Sequence, residues 1–312
     1  MSEIKADLLI IGAGAAGLSA GIYGARHGLK TLILEEKVAG GMTATAPLIE
    51  NYPGFIKLPG IELMDKISEH ATTAGAEIIE LSKIIRIENL KENFFVYNEN
   101  GDKYSGNALI LAMGSEYRKL NVPGEKEFLG RGVSYCATCD GPAFKNKNVV
   151  VVGGSYSAAV SSIYLSQQLK NAITLVHRRD KMRTEQFLVD QIMSDSNINK
   201  KWNFIVKEIK GKEVVEKITI QNVINQEIME IEADGIFVNV GELPKNELAK
   251  QLRVNLDKDG FIIVNRRQET NIPGVFAAGD ITGGLLQTIV GAGEGATAAV
   301  NAYLYIKGGW YI

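Results

Sequence analysis

Two places in this sequence set a short apolar strand against a glycine-rich turn and a helix of small residues. That repeated unit constrains the fold more than any other feature. Asp7-Leu8-Leu9-Ile10-Ile11 reads as a buried parallel strand, followed by Gly12-Ala13-Gly14-Ala15-Ala16-Gly17 and a helix to about His27. A second strand, Thr31 to Leu34, delivers Glu35 at its end. A dinucleotide site needs this order: Gly12 for the tight turn, Gly14 so that the backbone can approach a pyrophosphate, Gly17 for close helix–strand packing, and Glu35 for ribose hydroxyls. The unit begins again at Val149 to Val152. There Gly153-Gly154-Ser155-Tyr156-Ser157-Ala158 opens a helix to about Leu169, and the strand Ile173 to Val176 ends in His177-Arg178-Arg179-Asp180. Ser155 stands where the pyrophosphate-approach glycine belongs. Arginines in place of an acid at the second strand's end, with Arg183 close behind, match a 2′-phosphate and so mark NADP. Gly153, Ser157, Ala158, His177, Arg178, Arg179 and Arg183 are the expected NADP contacts.

Between the two units lies Cys136-Ala137-Thr138-Cys139-Asp140, which holds the only two cysteines in 312 residues. Structural zinc needs about four ligands, and the other soft candidates, His27, His70 and His177, are scattered. Inert buried thiols are a second reading, because cysteine packs as a small hydrophobe. A redox-active dithiol is the third. It requires an electron carrier, which the two flanking nucleotide signatures would supply. A lone Cys-x-x-Cys pair argues for a reducing, cytoplasmic compartment over a stapled secreted domain. A net charge of −2 gives no footprint for nucleic acid or anionic membrane. The apolar stretch Ala6 to Ala25 is interrupted by five glycines and reads as strand, turn and helix, not as a signal peptide or membrane anchor.

The remaining chain yields a coarser reading. Residues 37 to 60 form a long loop with Gly40-Gly41-Met42-Thr43 and Glu50-Asn51-Tyr52-Pro53-Gly54, and loops of such length are often functional. An amphipathic helix is expected over Ile61 to Ala74, and a strand meander over Glu77 to Tyr104 with a turn at Asn100-Gly101-Asp102. Leu109 to Gly114 reads as another buried strand, and Asn203 to Val240 as strand-rich with a hairpin near Lys210-Gly211-Lys212. Gly260 to Val264 and Pro273 to Asp280 read as strands, and Gln287 to about Tyr305 as a small-residue helix. The tail Gly308-Gly309-Trp310-Tyr311-Ile312 is expected to pack on its own domain.

Taken together, these motifs resemble the low-molecular-weight thioredoxin reductases over essentially the whole length. The likeness rests on Gly12 to Gly17, Gly40-Gly41-x-Thr43, Glu50-Asn51-Tyr52-Pro53-Gly54, Val122-Pro123-Gly124-Glu125 and Ser134-Tyr135-Cys136-Ala137-Thr138-Cys139-Asp140. His177-Arg178-Arg179-Asp180 and Ala277-Ala278-Gly279-Asp280 complete it. It implies an α/β fold of two Rossmann-like nucleotide-binding domains, the second inserted into the first. FAD would bind residues 1–117 and 245–312, and NADPH residues 118–244, which carry the cysteines. The FAD contacts it implies are Gly12, Gly14, Ala15, Gly17, Glu35, Glu36, Gly40, Gly41, Thr43, Asn51, Ile84, Gly279, Asp280, Gln287, Thr288 and Ile289. It also implies a homodimer, thioredoxin or a similar protein as partner, Cys136 as attacking sulfur, Cys139 as the sulfur nearer the flavin and Asp140 as acid/base. The departures are Met113 in a strand-end turn, Ser155 in the glycine triplet, and Val160-Ser161 where the family carries two acids. They leave open another electron donor, such as a ferredoxin or deazaflavin. A flavin dithiol oxidase and a flavin-bound redox sensor are the other readings.

Overall fold

The computed structural model of the protein describes residues 3–46, 49–90 and 93–309. Its chain divides into two compact units, one formed by residues 1–116 with 243–312 and the other by residues 117–242. Trp310 and Tyr311, on which the reading of the tail depends, lie outside the described residues.

The first unit is built on a parallel sheet in the order Val275–Ala277, Ala108–Leu111, Leu8–Ile11, Thr31–Leu34, Glu77–Ile79. Its three central strands are apolar at nearly every position and buried throughout, because both faces are covered. Side chains alternate across a strand, so one unbroken apolar run serves two cores. Leu8 and Ile10 pack with Leu18, Ile22, Ala298 and Ala302 of the helices Ala15–Arg26 and Thr288–Lys307. Leu9 and Ile11 pack on the other face with Phe94, Val96 and Tyr104. Those three belong to a second sheet, ordered Glu3–Lys5, Lys103–Gly106, Asn93–Asn98, Ile84–Leu90. The expected helix is present as Gly60–Thr73. Gly260 to Val264, expected as a strand, forms only an isolated bridge between Leu256 and Ile262 among the described residues. The Asp257 carboxylate accepts from the amides of Asp259 and Phe261, and Gly260 sits at φ +93°, so this segment is spent on a local turn.

The second unit repeats the plan. Its parallel sheet is ordered Val133–Ser134, Gly235–Asn239, Asn148–Gly153, Ala172–His177, Ile198–Trp202. The helices Tyr156–Ile163 and Gln186–Ser194 cover one face, where Val149, Val151, Ala158, Leu175, Ile192 and Phe237 form the core. An antiparallel sheet of Phe204–Gly211, Val215–Asn222 and Ile228–Glu232 covers the other, with Val150, Val152, Ile218 and Ile236 between. The chain passes between the units through Ser115–Tyr117 and returns through Glu242–Pro244, and these two strands are hydrogen-bonded neighbours.

Candidate active site

The cysteines close a short turn at the end of the strand Val133–Ser134. Cys136 and Cys139 form a disulfide, and Cys136 caps the single helical turn Ala137–Asp140. The Cys139 amide donates to Cys136 Sγ at 3.2 Å, and Thr138 Oγ1 lies 3.5 Å from the same sulfur. Both contacts are made by the oxidised pair. Behind the turn, Ser134 Oγ donates to Asp140 Oδ2 at 2.6 Å, while Asp140 Oδ1 is buried and has no hydrogen-bond partner. Burial pushes the Asp140 carboxyl above the usual carboxylate range, and the Ser134 bond opposes the shift only in part. A carboxyl held in this way keeps its proton to higher pH than an exposed one, which suits it to hand a proton to a neighbouring sulfur.

The residue before Cys136 is anchored separately. Tyr135 Oη donates to Glu125 Oε1 at 2.9 Å, and the two oxygens of that buried carboxylate also accept from the amides of Leu120 and Asn121. The Tyr135 ring stacks on Tyr117, with centroids 4.9 Å apart and planes 6° from parallel. Burial and Glu125 raise the Tyr135 pKa, so the phenol stays protonated.

The glycine turn of the same unit is tightly constrained. Gly153 takes φ +152°, and a methyl group there would collide with the Asn239 carbonyl. A methyl group on Gly154 would collide with the His177 ring, which lies over it. Burial lowers the His177 pKa, the contact of its Nε2 with Lys181 O at 3.1 Å opposes the shift, and Arg179, Arg178 and Arg183 add to it, so the neutral ring is favoured. The backbone of Arg183 returns to this turn, its amide donating to Gly154 O at 2.7 Å. Arg178, Arg179 and Arg183 are exposed and form no ion pair among the described residues. The structure thus brings together Gly153, His177 and Arg183, with Ser157 exposed and Ala158 buried in the helix that follows.

In the first unit, Gly12 takes φ +103°, and a methyl group there would overlap the Ala112 carbonyl. A side chain on Gly14 would meet only the Cα of Gly41, at 4.0 Å, so a slot lined by bare backbone opens at the head of the helix Ala15–Arg26. Glu35 accepts from the Ala13 amide at 2.6 Å and the Lys37 amide at 2.9 Å, which fixes its carboxylate beside the turn. Glu36 pairs with Lys83 at 3.1 Å. The Gly40 amide donates to Ala13 O, which draws the long loop against the turn. Farther along, Thr43 Oγ1 lies 2.9 Å from Thr288 Oγ1, and Asn51 Nδ2 donates to Gln287 Oε1 at 2.9 Å. Loop, turn and helix terminus therefore meet, with Ile289 exposed in the first helical turn. Ile84 stands aside from these contacts, buried with Leu9 and Ile11.

The slot, its two facing glycines and the acid at the second strand's end fit a flavin dinucleotide. Asp280, lifted by burial, and Gly279 lie in a turn held by Glu294, whose Oε2 accepts from the Gly279 amide at 2.7 Å and Thr282 Oγ1 at 3.2 Å. Burial and the nearby Asp280 raise the Glu294 carboxyl as well. Sequence reasoning missed Glu294. Its signal was a lone acid within a helix whose only other charged residue is the terminal Lys307. Ser134, the support of Asp140, could be quoted only as part of a motif.

A family described as "Pyridine nucleotide-disulphide oxidoreductase" matches residues 6–301. The chain belongs to this family. It is an oxidoreductase of the low-molecular-weight thioredoxin reductase branch, 41% identical to the thioredoxin reductase of Bacillus subtilis (strain 168) over 98% of this chain and 97% of that one. Among solved structures, thioredoxin reductase from Streptococcus pyogenes MGAS5005 matches with a TM-score of 0.86 and 37% identity, covering 98% of this chain and 100% of that one. A "Ferredoxin-Flavin Thioredoxin Reductase" from Clostridium acetobutylicum matches with a TM-score of 0.53 and 34% identity, over 98% and 100% of the two chains.

Proposed function

We propose that this oxidoreductase is a thioredoxin reductase. It takes electrons from NADPH into FAD, passes them to the Cys136–Cys139 disulfide, and delivers them to thioredoxin or a similar protein disulfide. The observation that carries this reading is the disulfide itself, part-exposed and backed by a buried carboxyl with one free oxygen. We assign the first unit to FAD and the second to NADPH. Gly12, Gly14, Gly17, Glu35, Gly41 and Asp280 are the principal FAD contacts, and Arg178, Arg179 and Arg183 the 2′-phosphate contacts. FAD, when bound, supplies the two electrons that open the disulfide. Two protons complete the dithiol, and Asp140 holds the one that the leaving sulfur needs. Cys136 then attacks the partner's disulfide, which breaks its S–S bond and forms a mixed disulfide. Cys139 attacks Cys136 of that intermediate, releases the reduced partner and restores the starting bond. His177, kept neutral over Gly154, shapes the turn that receives the pyrophosphate. The lone cysteine pair favours a cytoplasmic setting. No helix among the described residues is long and apolar enough to cross a membrane. The family likeness favours a homodimer, which sedimentation would test.

A second reading concerns the donor. Ser155 adds a side chain at the nucleotide turn, and a ferredoxin-flavin thioredoxin reductase is among the similar structures. Anaerobic titration of the bound flavin decides between them. Bleaching by NADPH supports the first reading. Bleaching by a reduced iron–sulfur protein but not by millimolar NADPH supports the second.

A further inference from the structure

Besides Asp140, three polar side chains of the second unit, Asn171, Thr219 and Asn239, carry a buried atom without a hydrogen-bond partner, and of these Asn239 lies beside the glycine turn. Asn239 ends the strand Gly235–Asn239, level with Gly153 on the neighbouring strand. On the far side of Asn148–Gly153 lies Ala172–His177, so the strand order reverses beside the glycine turn. Open parallel sheets bind ligands in the crevice at such a reversal, beyond the carboxyl ends of the strands.

A dinucleotide placed there has its register set by three strand ends. Arg178 and Arg179, past the end of Ala172–His177, take the adenosine half with its 2′-phosphate, and Gly153–Ser155 takes the pyrophosphate. The other half must run over the end of Gly235–Asn239. Side-chain alternation decides which way Asn239 projects. Phe237 shares a core cluster with Ala137, Ala158 and Ala159, so Asn239, two residues on, lies on the face of the cysteine turn and of the helix Tyr156–Ile163. Ser134 pairs with Phe237 in register, so the chain leading into Cys136 runs alongside. Asn239 Oδ1 is buried and has no hydrogen-bond partner among the described residues, an arrangement that costs free energy until a donor arrives from ordered water or from a bound group.

The geometry points to Asn239 as the residue that recognises the nicotinamide carboxamide, its Oδ1 accepting from the carboxamide N–H. This assignment rests on the pyridine-nucleotide reading above and deepens it. It separates two kinds of recognition on one sheet edge: the arginines discriminate NADPH from NADH, and Asn239 acts on both alike.

The test is equilibrium binding to the oxidised, flavin-loaded protein by calorimetry, with NADP+, NAD+ and the 3-acetylpyridine analogue of NADP+, which lacks the carboxamide N–H. The wild type should bind the analogue about three- to ten-fold more weakly than NADP+, the range for one neutral hydrogen bond. Asn239→Leu should bind NADP+ and NAD+ weaker by about that same factor and should no longer distinguish the analogue. Arg178→Ala should weaken NADP+ alone. An Asn239→Leu protein with unchanged melting and flavin spectrum that binds NADP+ like the wild type overturns the assignment, as does one that still discriminates. If the variant does not fold, the wild type decides, and equal affinity for NADP+ and its analogue overturns the assignment. A wild type that binds no pyridine nucleotide at all overturns the nucleotide reading and this assignment together.

Discussion

Asp140 sets stability against function within a single side chain. Burial raises its folded pKa above the unfolded value, so its contribution to stability is full below the ordinary carboxylate range and is lost as pH rises through the folded pKa. At neutral pH the buried carboxyl is a cost to the fold, whether it is desolvated as the anion or takes up a proton. Asp140→Asn keeps an acceptor for Ser134 and removes that cost, so it should raise the melting temperature at neutral pH. The gain should vanish as pH falls towards about 4. Turnover of a protein disulfide should fall in the same variant, and an unchanged rate would remove Asp140 from the mechanism. The cysteines divide differently. Cys136→Ser and Cys139→Ser should each abolish disulfide turnover while flavin reduction by the donor survives. Only Cys139→Ser should trap a partner as a stable mixed disulfide, readable by mass spectrometry. Towards a 2′-phosphate, Arg178 would make charge-assisted bonds of about 1.5–3 kcal/mol each, equivalent to some ten- to a hundred-fold in affinity. Arg178→Ala should reduce the preference for NADPH over NADH by that factor, whereas Ser155→Gly should strengthen both nucleotides in a fluorescence titration.

At the scale of elements, the helices Ala15–Arg26 and Thr288–Lys307 cross where Gly295 meets the backbone of Ala16. A methyl group on Gly295 would overlap the carbonyl of Ala16. Gly295→Ala should therefore cost about 1–3 kcal/mol through overpacking. It should also release FAD at lower denaturant than the wild type, since this contact backs the glycine turn. Such central features were legible in the sequence because burial on both faces leaves unbroken apolar runs, as in Leu8–Ile11 and Asn148–Gly153. Peripheral elements were not. The edge strand Ile198–Trp202 holds Lys200 and Lys201 and fully buries only Ile198, so neither alternation nor an apolar run announces it. The helix Gln186–Ser194 buries only Ile192 and leaves Phe187 exposed, which blurs its stripe. The segment at Gly260 carried strand-like residues, yet Asp257 claimed its amides for a turn. Within the site, the glycines and cysteines could be read because their chemistry allows few alternatives. Glu294, Ser134 and Asn239 could not, because each takes its meaning from a partner distant in sequence or, for Asn239, from a neighbouring strand.

At the scale of the whole molecule, the two crossings between units lie side by side, with the Arg118 amide donating to Gly241 O at 3.0 Å. The ends of the second unit are therefore close, and it has its own cores. Residues 117–242 expressed alone should melt cooperatively by circular dichroism and be colourless. Residues 1–116 joined to 243–312 by a few glycines should retain FAD, and loss of flavin from that splice would show that the cradle is not self-sufficient. The same interrupted layout imposes an order on synthesis. The second unit is one continuous stretch and can fold while the ribosome is still at work. The first cannot close: the strand Ala108–Leu111 waits for Val275–Ala277, and the helix Ala15–Arg26 for Thr288–Lys307. At about 5–20 residues per second, the nascent amino-terminal half stands half-covered for roughly ten to forty seconds. Through that interval its apolar strands are exposed to chaperones and to neighbouring chains, and flavin capture waits until Thr288–Lys307 has been made.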